Sequence, residues 1–255
     1  MTGNAPKREI KSVTNVFDIL EVIHDEGGAT LTEIYGEIDL AQSTLHDYLQ
    51  TLTRRGYVIK EDQTYYVSLR FLDLGTQAKL TRTAWQDVRP GLVEVAKETG
   101  ENVWFMIEEN GYAVHVDSYS GERVLYKFHA PGTHEYLHCL AGGKAIMAHL
   151  GEARVDEIVE RHGLPKFTDS TITDRETLRS ELAEIRERGI AFSDGERREE
   201  IRAVASPIVY GDEVLGAISL GAPTKRLTGD FFEGELPNLV SGAANRIEFS
   251  FDHGE

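Results

Sequence analysis

Within the first seventy residues the apolar positions recur first at helical spacing and then at a period of two, and that switch leaves few plans open. From Ser12, the residues Val13, Val16, Phe17, Leu20 and Ile23 recur at i, i+3, i+4, i+7 and i+10, one face of an amphipathic helix ending before Gly27-Gly28. Thr30-Leu31-Thr32-Glu33 has capping-box spacing and opens a second, short helix through Ile34 towards Ile38. After Asp39-Leu40 a third helix runs from about Ala41 to Arg55, its buried stripe Leu45, Tyr48, Leu49 and Leu52, closed by Gly56. The period then drops to two. Tyr57–Lys60 and Thr64–Val67 flank the polar turn Glu61-Asp62-Gln63 and read as a hairpin. Three helices and a hairpin in so short a stretch make a winged helix-turn-helix.

Leu69 to about Thr83 keeps a helical period and suits a linker helix joining two domains. Next come a helix near Trp85 to Thr99, a strand Asn102–Glu109, an Asn110-Gly111 turn and a strand Tyr112–Tyr119; Asn-Gly between apolar runs is the strongest short-range hairpin signal. A third strand is expected at Val124–His129, then a loop, then helices from about Leu140 to His149 and Ala153 to His162. Thr173-Asp174-Arg175-Glu176 reads as a second capping box, opening a helix that stops at Gly189. Strands Arg202–Val209 and Val214–Gly221 follow, joined by a tight Tyr210–Glu213 turn, and a last helix covers about Phe231 to Phe249 with Pro237 as a kink point. Strand runs interleaved with helix runs predict an α+β domain, one antiparallel sheet covered by helices.

Composition adds a tension. The 255 residues carry 27 Lys and Arg against 43 Asp and Glu, a net charge of -16. Taken alone, that argues against nucleic acid, which normally leaves a basic footprint. Nine lysines stand against eighteen arginines. Scarce lysine with surplus carboxylate suits a salt-rich cytoplasm, such as that of a halophilic archaeon, where repulsion is screened within about 3 Å at 1 M salt. An ordinary acidic cytosolic protein is the plainer alternative. No run of about 18 apolar residues is present to span a bilayer, and Met1–Arg8 lacks the apolar core of a secretion signal, so a cytoplasmic chain is expected. One cysteine, Cys139, excludes an internal disulfide and an all-cysteine metal cage.

At this point the motifs resemble a family. Ile10-Lys11-Ser12-Val13, Leu31-Thr32-Glu33-Ile34, Ser43-Thr44-Leu45-His46, Leu52-Thr53-Arg54-Arg55-Gly56-Tyr57-Val58 and Tyr66-Val67-Ser68-Leu69-Arg70 are similar to the DNA-binding half of IclR-type transcriptional regulators. Leu137–Ala145, Ile172-Thr173-Asp174, Ile185–Gly189 and Ile201–Ile208 resemble the effector-binding half, in the same order and over nearly the whole chain. The resemblance implies a winged helix-turn-helix at 8–70, a linker helix at 71–84 and a GAF-like effector-binding domain at 85–252. It further implies a homodimer or dimer of dimers on palindromic double-stranded DNA operators, answering to a small-molecule effector, with no enzyme activity, cofactor or membrane partner. Target genes of carbon catabolism are expected, with a sugar, sugar acid or small organic acid as effector.

In a helix-turn-helix the third helix enters the major groove, and its outward N-terminal residues reach base edges. With the leucines inward, the outward set is Ser43, His46, Asp47, Gln50 and Arg54, with Gln42 and Thr44 at the helix start. Gln50 suits adenine, Asp47 suits cytosine N4, and Ser43 and Thr44 suit phosphates or bases. Lys7, Arg8, Lys11, Arg54, Arg55 and the wing's Lys60 are the phosphate candidates. The same face serves equally as the solvated side of any surface helix. The sequence departs from the family at Gln42 and Asp47, where basic residues are expected. Residues 1–75 hold seven Lys and Arg against twelve Asp and Glu, a net of -5, and the rest holds twenty against thirty-one, a net of -11. Binding by such a head leans on base contacts and shape, and on salt that screens its repulsion from DNA.

The second half shows no catalytic constellation. Ala141-Gly142-Gly143-Lys144-Ala145 fails the phosphate-loop pattern, with His138 where glycine is needed and Ala145 where Ser or Thr is needed. Cys139 beside His138 lacks a second thiol, and a buried structural cysteine explains it better; His134, His138 and Cys139 are a metal alternative only if distant residues complete a site. A glycine-rich turn entering a helix suits a small carboxylate. By motif alignment, the family's effector positions fall on Ala141 and Gly142, on Ser193 and Asp194 in the loop after Phe192, on Ile201 and Ala203, and on Ser219 and Gly221, with Leu125, Leu137 and Met147 as apolar walls. Plain core packing is the other reading of the apolar members. Ala203 stands where Cys is common and Gly221 where Ser is common. Two readings compete with a regulator: a metabolite-binding or enzymatic GAF-like protein whose N-terminal helices dimerise, and a DNA-independent recruiting module.

Overall fold

The computed structural model describes residues 9–124 and 130–253. Contacts divide the chain into two compact units, the division falling between Ala78 and Lys79. The N-terminal unit contains α1 (Lys11–Asp25), β1 (Ala29–Thr30), α2 (Leu31–Glu37), α3 (Gln42–Arg55), β2 (Val58–Glu61) and β3 (Thr64–Val67). Its core includes Ile19, Ile23, Ile34, Leu45, Leu49 and Leu52. Of the face expected on α1, Ile23 is buried and Val16 and Leu20 pack against the core, but Val13 and Phe17 are exposed, and Ile19, outside that face, is fully buried. Thr30 caps α2 through a complete capping box: its hydroxyl accepts from the Glu33 N–H, and the Glu33 carboxylate accepts from the Thr30 N–H at 2.7 Å. Gly56 takes the left-handed conformation at φ 78°, and the Tyr57 N–H returns to the Leu52 carbonyl at 3.0 Å. The sheet has the order β1-β3-β2, all antiparallel. The two-residue β1 is not visible in the sequence, being too short to show a period.

Helix α4 (Arg70–Arg82) has no buried residue. From there the chain forms α5 (Trp85–Thr99), β4 (Asn102–Glu109), β5 (Tyr112–Ser120), β6 (His134–Tyr136), a 3-10 turn at Leu137–Cys139, α6 (Ala141–His149), α7 (Glu152–His162), α8 (Arg175–Arg188), β7 (Ala191–Asp194), β8 (Ile201–Tyr210), β9 (Glu213–Pro223) and α9 (Leu236–His253). Six strands make one antiparallel sheet, β6-β5-β4-β9-β8-β7. Helices cover both faces, so β4 is apolar on both. Val103 and Phe105 join α5 and α9, while Trp104 and Met106 join α6, α7 and α8.

Several expectations change. The strand expected at Val124–His129 falls, beyond Val124, outside the described residues. Strands β6 and β7 were not anticipated; Ser193 and Asp194 therefore close a strand rather than sit in a loop, with Ser193 opposite Ala203. The cap of α8 is Asp174, not Thr173: the aspartate accepts from the Thr177 N–H at 2.9 Å, and Thr177 is then the third helical residue, with no carboxylate to reciprocate. The last helix begins at residue 229 and passes without a break through a π-type turn, Phe231–Glu235, into α9; the Leu236 N–H reaches back to the Phe231 carbonyl, and Pro237, which has no main-chain donor, follows directly.

Candidate functional site

Two sites are built by these elements, one in each unit. In the N-terminal unit the leucines of α3 are buried, and Gln42, Ser43, Thr44, His46, Asp47, Gln50, Arg54 and Arg55 are all exposed. Arg54 is linked to Gln50, its Nη2 donating to Oε1 at 3.4 Å. The Arg55 carbonyl accepts from Arg70 at 2.8 Å, which ties the end of α3 to the start of α4. Lys60, exposed on the wing, lies 5.0 Å from the centre of the Tyr65 ring, and Lys11 is exposed at the start of α1. Lys7 and Arg8 lie outside the described residues. Arg54, Arg55 and Lys60 enter no ion pair among the described residues. In a chain with 43 carboxylates, a convex helix face with unpaired cations at its end presents an anion-binding edge.

In the second unit a cavity opens on the α6 side of the sheet. It offers the centre of a water molecule about 60 Å³. Its floor is a run of small side chains on adjacent strands: Ser193 opposite Ala203, Ala203 opposite Gly221, and Ser219 opposite Trp104. Trp104, Met106 and His115 rise on one side, Leu140, Ala141 and Ile201 elsewhere, and Arg197 and Arg198 come from the β7–β8 connection. The hollow exists because the floor is small. A Cβ at Gly221 would lie 3.2 Å from the Trp104 ring.

Of the expected effector positions, the cavity gathers Ala141, Ser193, Ile201, Ala203, Ser219 and Gly221. Gly142 lies against it, where a Cβ would meet the Met106 sulfur at 2.7 Å. Leu137 and Met147 are buried in the packed core beneath, Leu125 lies outside the described residues, and Asp194 is turned away into a two-pronged pair with Arg202 at 2.7 and 2.8 Å. Gly143 has a packing role: a Cβ there would sit 2.1 Å from the Leu137 carbonyl oxygen. Trp104, Met106, His115, Leu140, Arg197 and Arg198 were not anticipated. His115 reaches the cavity through a β-bulge. The β4–β5 register shifts so that Met106 faces His115 and Phe105 faces Asp117, with Val116 as the extra residue. Asp117 instead accepts from the Trp85 indole and pairs with Arg89 at 2.6 Å and Lys79 at 3.3 Å.

The arginine-bearing connection is held from below. Lys144, 2 % exposed, pairs with buried Glu196 at 2.6 Å and with Glu181 at 3.3 Å. The Thr168 and Thr171 hydroxyls donate to the Gly195 and Glu196 carbonyls, each at 2.6 Å. Burial raises the Glu196 pKa above the ordinary carboxylate value, with the Lys144 ammonium opposing it. Arg197 pairs with Glu135 at 2.6 Å and stacks 4.2 Å from the Phe167 ring. The cysteine is no nucleophile: burial pushes the Cys139 thiol up to about 12. His138 is buried, its Nε2 3.1 Å from the Pro165 carbonyl, and burial lowers its pKa; His134 is exposed. Among the described residues no three His, Cys, Asp or Glu side chains are grouped to hold a metal ion, so the His134, His138 and Cys139 alternative does not assemble. Nor, among them, is any helix long and apolar enough to cross a membrane.

Comparison with known proteins gives this arrangement its place. Residues 12–62 match the IclR helix-turn-helix domain, and residues 81–249 match the C-terminal domain of bacterial IclR transcriptional regulators. The chain is 32 % identical to the probable HTH-type transcriptional regulator ArcR of Halobacterium salinarum, over 96 % of this chain and 95 % of that one. It is 28 % identical to the transcriptional repressor IclR of Escherichia coli, over 95 % and 90 %. Its fold superposes on the crystal structure of Thermotoga maritima IclR with a TM-score of 0.79 at 24 % identity, covering 95 % of this chain and 99 % of that one. An IclR homologue from Microbacterium hydrocarbonoxydans, crystallised with 4-hydroxybenzoate, gives 0.79 at 20 % identity, covering 94 % and 99 %. With both halves matched in order and a relative this similar along almost its full length, the chain belongs to the IclR family: it is a DNA-binding transcriptional regulator and not an enzyme.

Proposed function

We propose that this regulator controls catabolic genes in response to a sugar, sugar acid or small organic acid, acting in the cytoplasm as a homodimer or dimer of dimers on a palindromic operator. On this reading residues 8–70 read DNA, 71–84 link, and 85–252 hold the effector. The observation that carries it is the exposed face of α3, polar along its length and ending in cations that no carboxylate neutralises among the described residues. Ser43, Thr44, His46, Asp47 and Gln50 read base edges, while Lys11, Arg54, Arg55 and Lys60, with Lys7 and Arg8, meet phosphates. A second copy is supported by exposed apolar side chains on the two helices that flank the reading head. Ile10, Val13 and Phe17 recur at helical spacing at the start of α1, and Leu69, Leu72, Leu74 and Leu80 run along α4. The complex of the Microbacterium homologue with 4-hydroxybenzoate supports an organic acid effector, and the Salmonella typhimurium acetate operon repressor, 27 % identical, supports a role in carbon use. An effector shifts the DNA-binding equilibrium only by as much as it prefers one arrangement of the heads over the other.

The acidic surface, together with the relative in Halobacterium salinarum, supports a working environment of concentrated salt. Fluorescence anisotropy on operator DNA, located by footprinting, tests the whole reading. Affinity should change less than about tenfold between roughly 0.5 and 2 M KCl, where a basic reader loses about 10³-fold or more over a far smaller salt step. Replacing Ser43, Thr44 and Gln50 together by Ala should abolish operator binding with the fold intact, since all three side chains are exposed. Wild-type binding by that variant would remove α3 from the role of reader.

A further inference from the structure

We propose that the cavity selects a monocarboxylate with an apolar body of about four to six carbons, and rejects hydroxylated sugar acids. This rests on the effector-binding reading above and narrows it. The first observation is charge. The chain carries a net -16, yet among the described residues the side chains of fixed charge lining the cavity are Arg197 and Arg198, with no carboxylate. Of the nearby acids, Asp194 pairs with Arg202 at 2.7 Å and Glu196 with Lys144 at 2.6 Å, while Glu135, which is not in the lining, pairs with the lining Arg197 itself at 2.6 Å. The threonine and lysine contacts beneath Gly195 and Glu196 fix the connection that carries both arginines. An anion therefore enters a mouth of one sign on a molecule of the other.

The second observation concerns hydroxyls. The floor's two hydroxyls are already committed as donors, Ser193 to the Cys139 carbonyl and Ser219 to the Val204 carbonyl, each at 3.4 Å. Around them stand Trp104, Met106, Ala203 and Gly221, with the His115 imidazole as a further polar side chain of the lining. A polyol taken into that floor exchanges water for methyl, thioether and indole surfaces, and each unpaired hydroxyl weakens binding roughly ten- to a hundredfold. The third is size. About 60 Å³ of room for water centres corresponds to about four to six water positions, the bulk of a branched alkyl or a phenyl group. The carboxylate then lies towards the guanidiniums and the body on the small-residue floor.

The test is calorimetry on the full chain in concentrated KCl with benzoate, 3-methylbutanoate, benzamide and gluconate. At least one of the two acids should bind, benzamide about tenfold or more weaker than benzoate, and gluconate about a hundredfold or more weaker than the better acid. Arg198→Met, at an exposed position, should bring benzoate and benzamide within about threefold of each other. Ala203→Phe should abolish binding by filling the floor, with its melting temperature checking that it folds. Benzamide equal to benzoate in the wild type, or acid binding that survives Ala203→Phe, overturns the proposal. Tighter binding of gluconate, blocked by Ala203→Phe, overturns it while upholding an effector cavity. Silence from all four compounds in a chain that binds operator DNA overturns the cavity assignment itself and leaves the DNA reading standing.

Discussion

Lys144→Met isolates what the buried ion pair beneath the cavity contributes. Lys144 is 2 % exposed, 2.6 Å from a Glu196 that is 7 % exposed and whose other carboxylate oxygen has no hydrogen-bond partner. Methionine retains most of the lysine's bulk, so the loss is electrostatic rather than a cavity. Removing one member of a buried pair costs about 3–5 kcal/mol, and with a guanidinium slope of about 4 kcal/mol/M for a unit of this size the midpoint should fall by about 1 M. The sign with pH follows from Glu196. Burial already raises its pKa, and loss of the ammonium raises it further. A carboxyl whose pKa rises on folding contributes stability below its unfolded pKa, and that contribution is lost as pH climbs through the folded value. The deficit should therefore be largest near about pH 8 and shrink towards about pH 5. Tryptophan emission is the assay, because Trp85 and Trp104 both lie after Lys79 and report the second unit alone. Glu196→Gln alone should cost less, about 1–3 kcal/mol, since Lys144 keeps Glu181 at 3.3 Å, and the double variant should recover part of the Lys144→Met loss. A midpoint within about 0.2 M of wild type near pH 8, or a deficit equal at both pH values, would refute the argument.

Three further outcomes are expected. Cys139, with its thiol near 12, should resist a thiol reagent in the native state at about pH 8 and react fully once guanidinium unfolds the chain; native labelling at the rate of a free cysteine contradicts its burial. Gly143→Ala should destabilise the second unit by about 3 kcal/mol or more, because the added carbon meets main-chain atoms of Leu137 at 2.1 and 2.6 Å; an unchanged denaturation curve sinks this account of the glycine. Thr30→Ala removes the hydroxyl half of the α2 capping box, leaving the residue-30 N–H that Glu33 accepts, and should cost about 0.5–2 kcal/mol, read by circular dichroism of the N-terminal unit; a loss confined to the second unit's tryptophan signal would contradict it.

The N-terminal unit was legible because its rules are local. Leu45, Leu49 and Leu52 share a helical face, Thr30 and Glu33 stand at capping distance, and Gly56 sits where a helix must stop. Paired strands of eight to eleven residues were also readable, as at β4 and β9. What escaped is short or non-local. Strands β1, β6 and β7, of two to four residues, hold too few turns of the period to stand out. The cavity was half visible, through the family resemblance alone, which placed Ile201 and Ala203 on β8 and Ser219 and Gly221 on β9 among the effector positions. Gly195–Glu200 reads as a solvated charge run, and only the buried contacts of Glu196 with Lys144, Thr168 and Thr171 show that it is a fixed wall. Its one sequence signal was an adjacent arginine pair in an acid-rich chain. His115 was hidden for another reason. Its orientation depends on the extra residue at Val116, which no alternation pattern reports.

The six-stranded sheet tapers towards its rims. Its interior strands run to ten and eleven residues at β8 and β9, while the rims are three residues at β6 and four at β7. A long bare rim is a template on which a foreign strand can add, the first step towards aggregation or strand exchange. Here an extended segment finds only a few main-chain donors and acceptors on either side before the chain turns away. Among the described residues the rim strands therefore offer an added strand a ladder of three residues at β6 and four at β7, too short to seat it firmly.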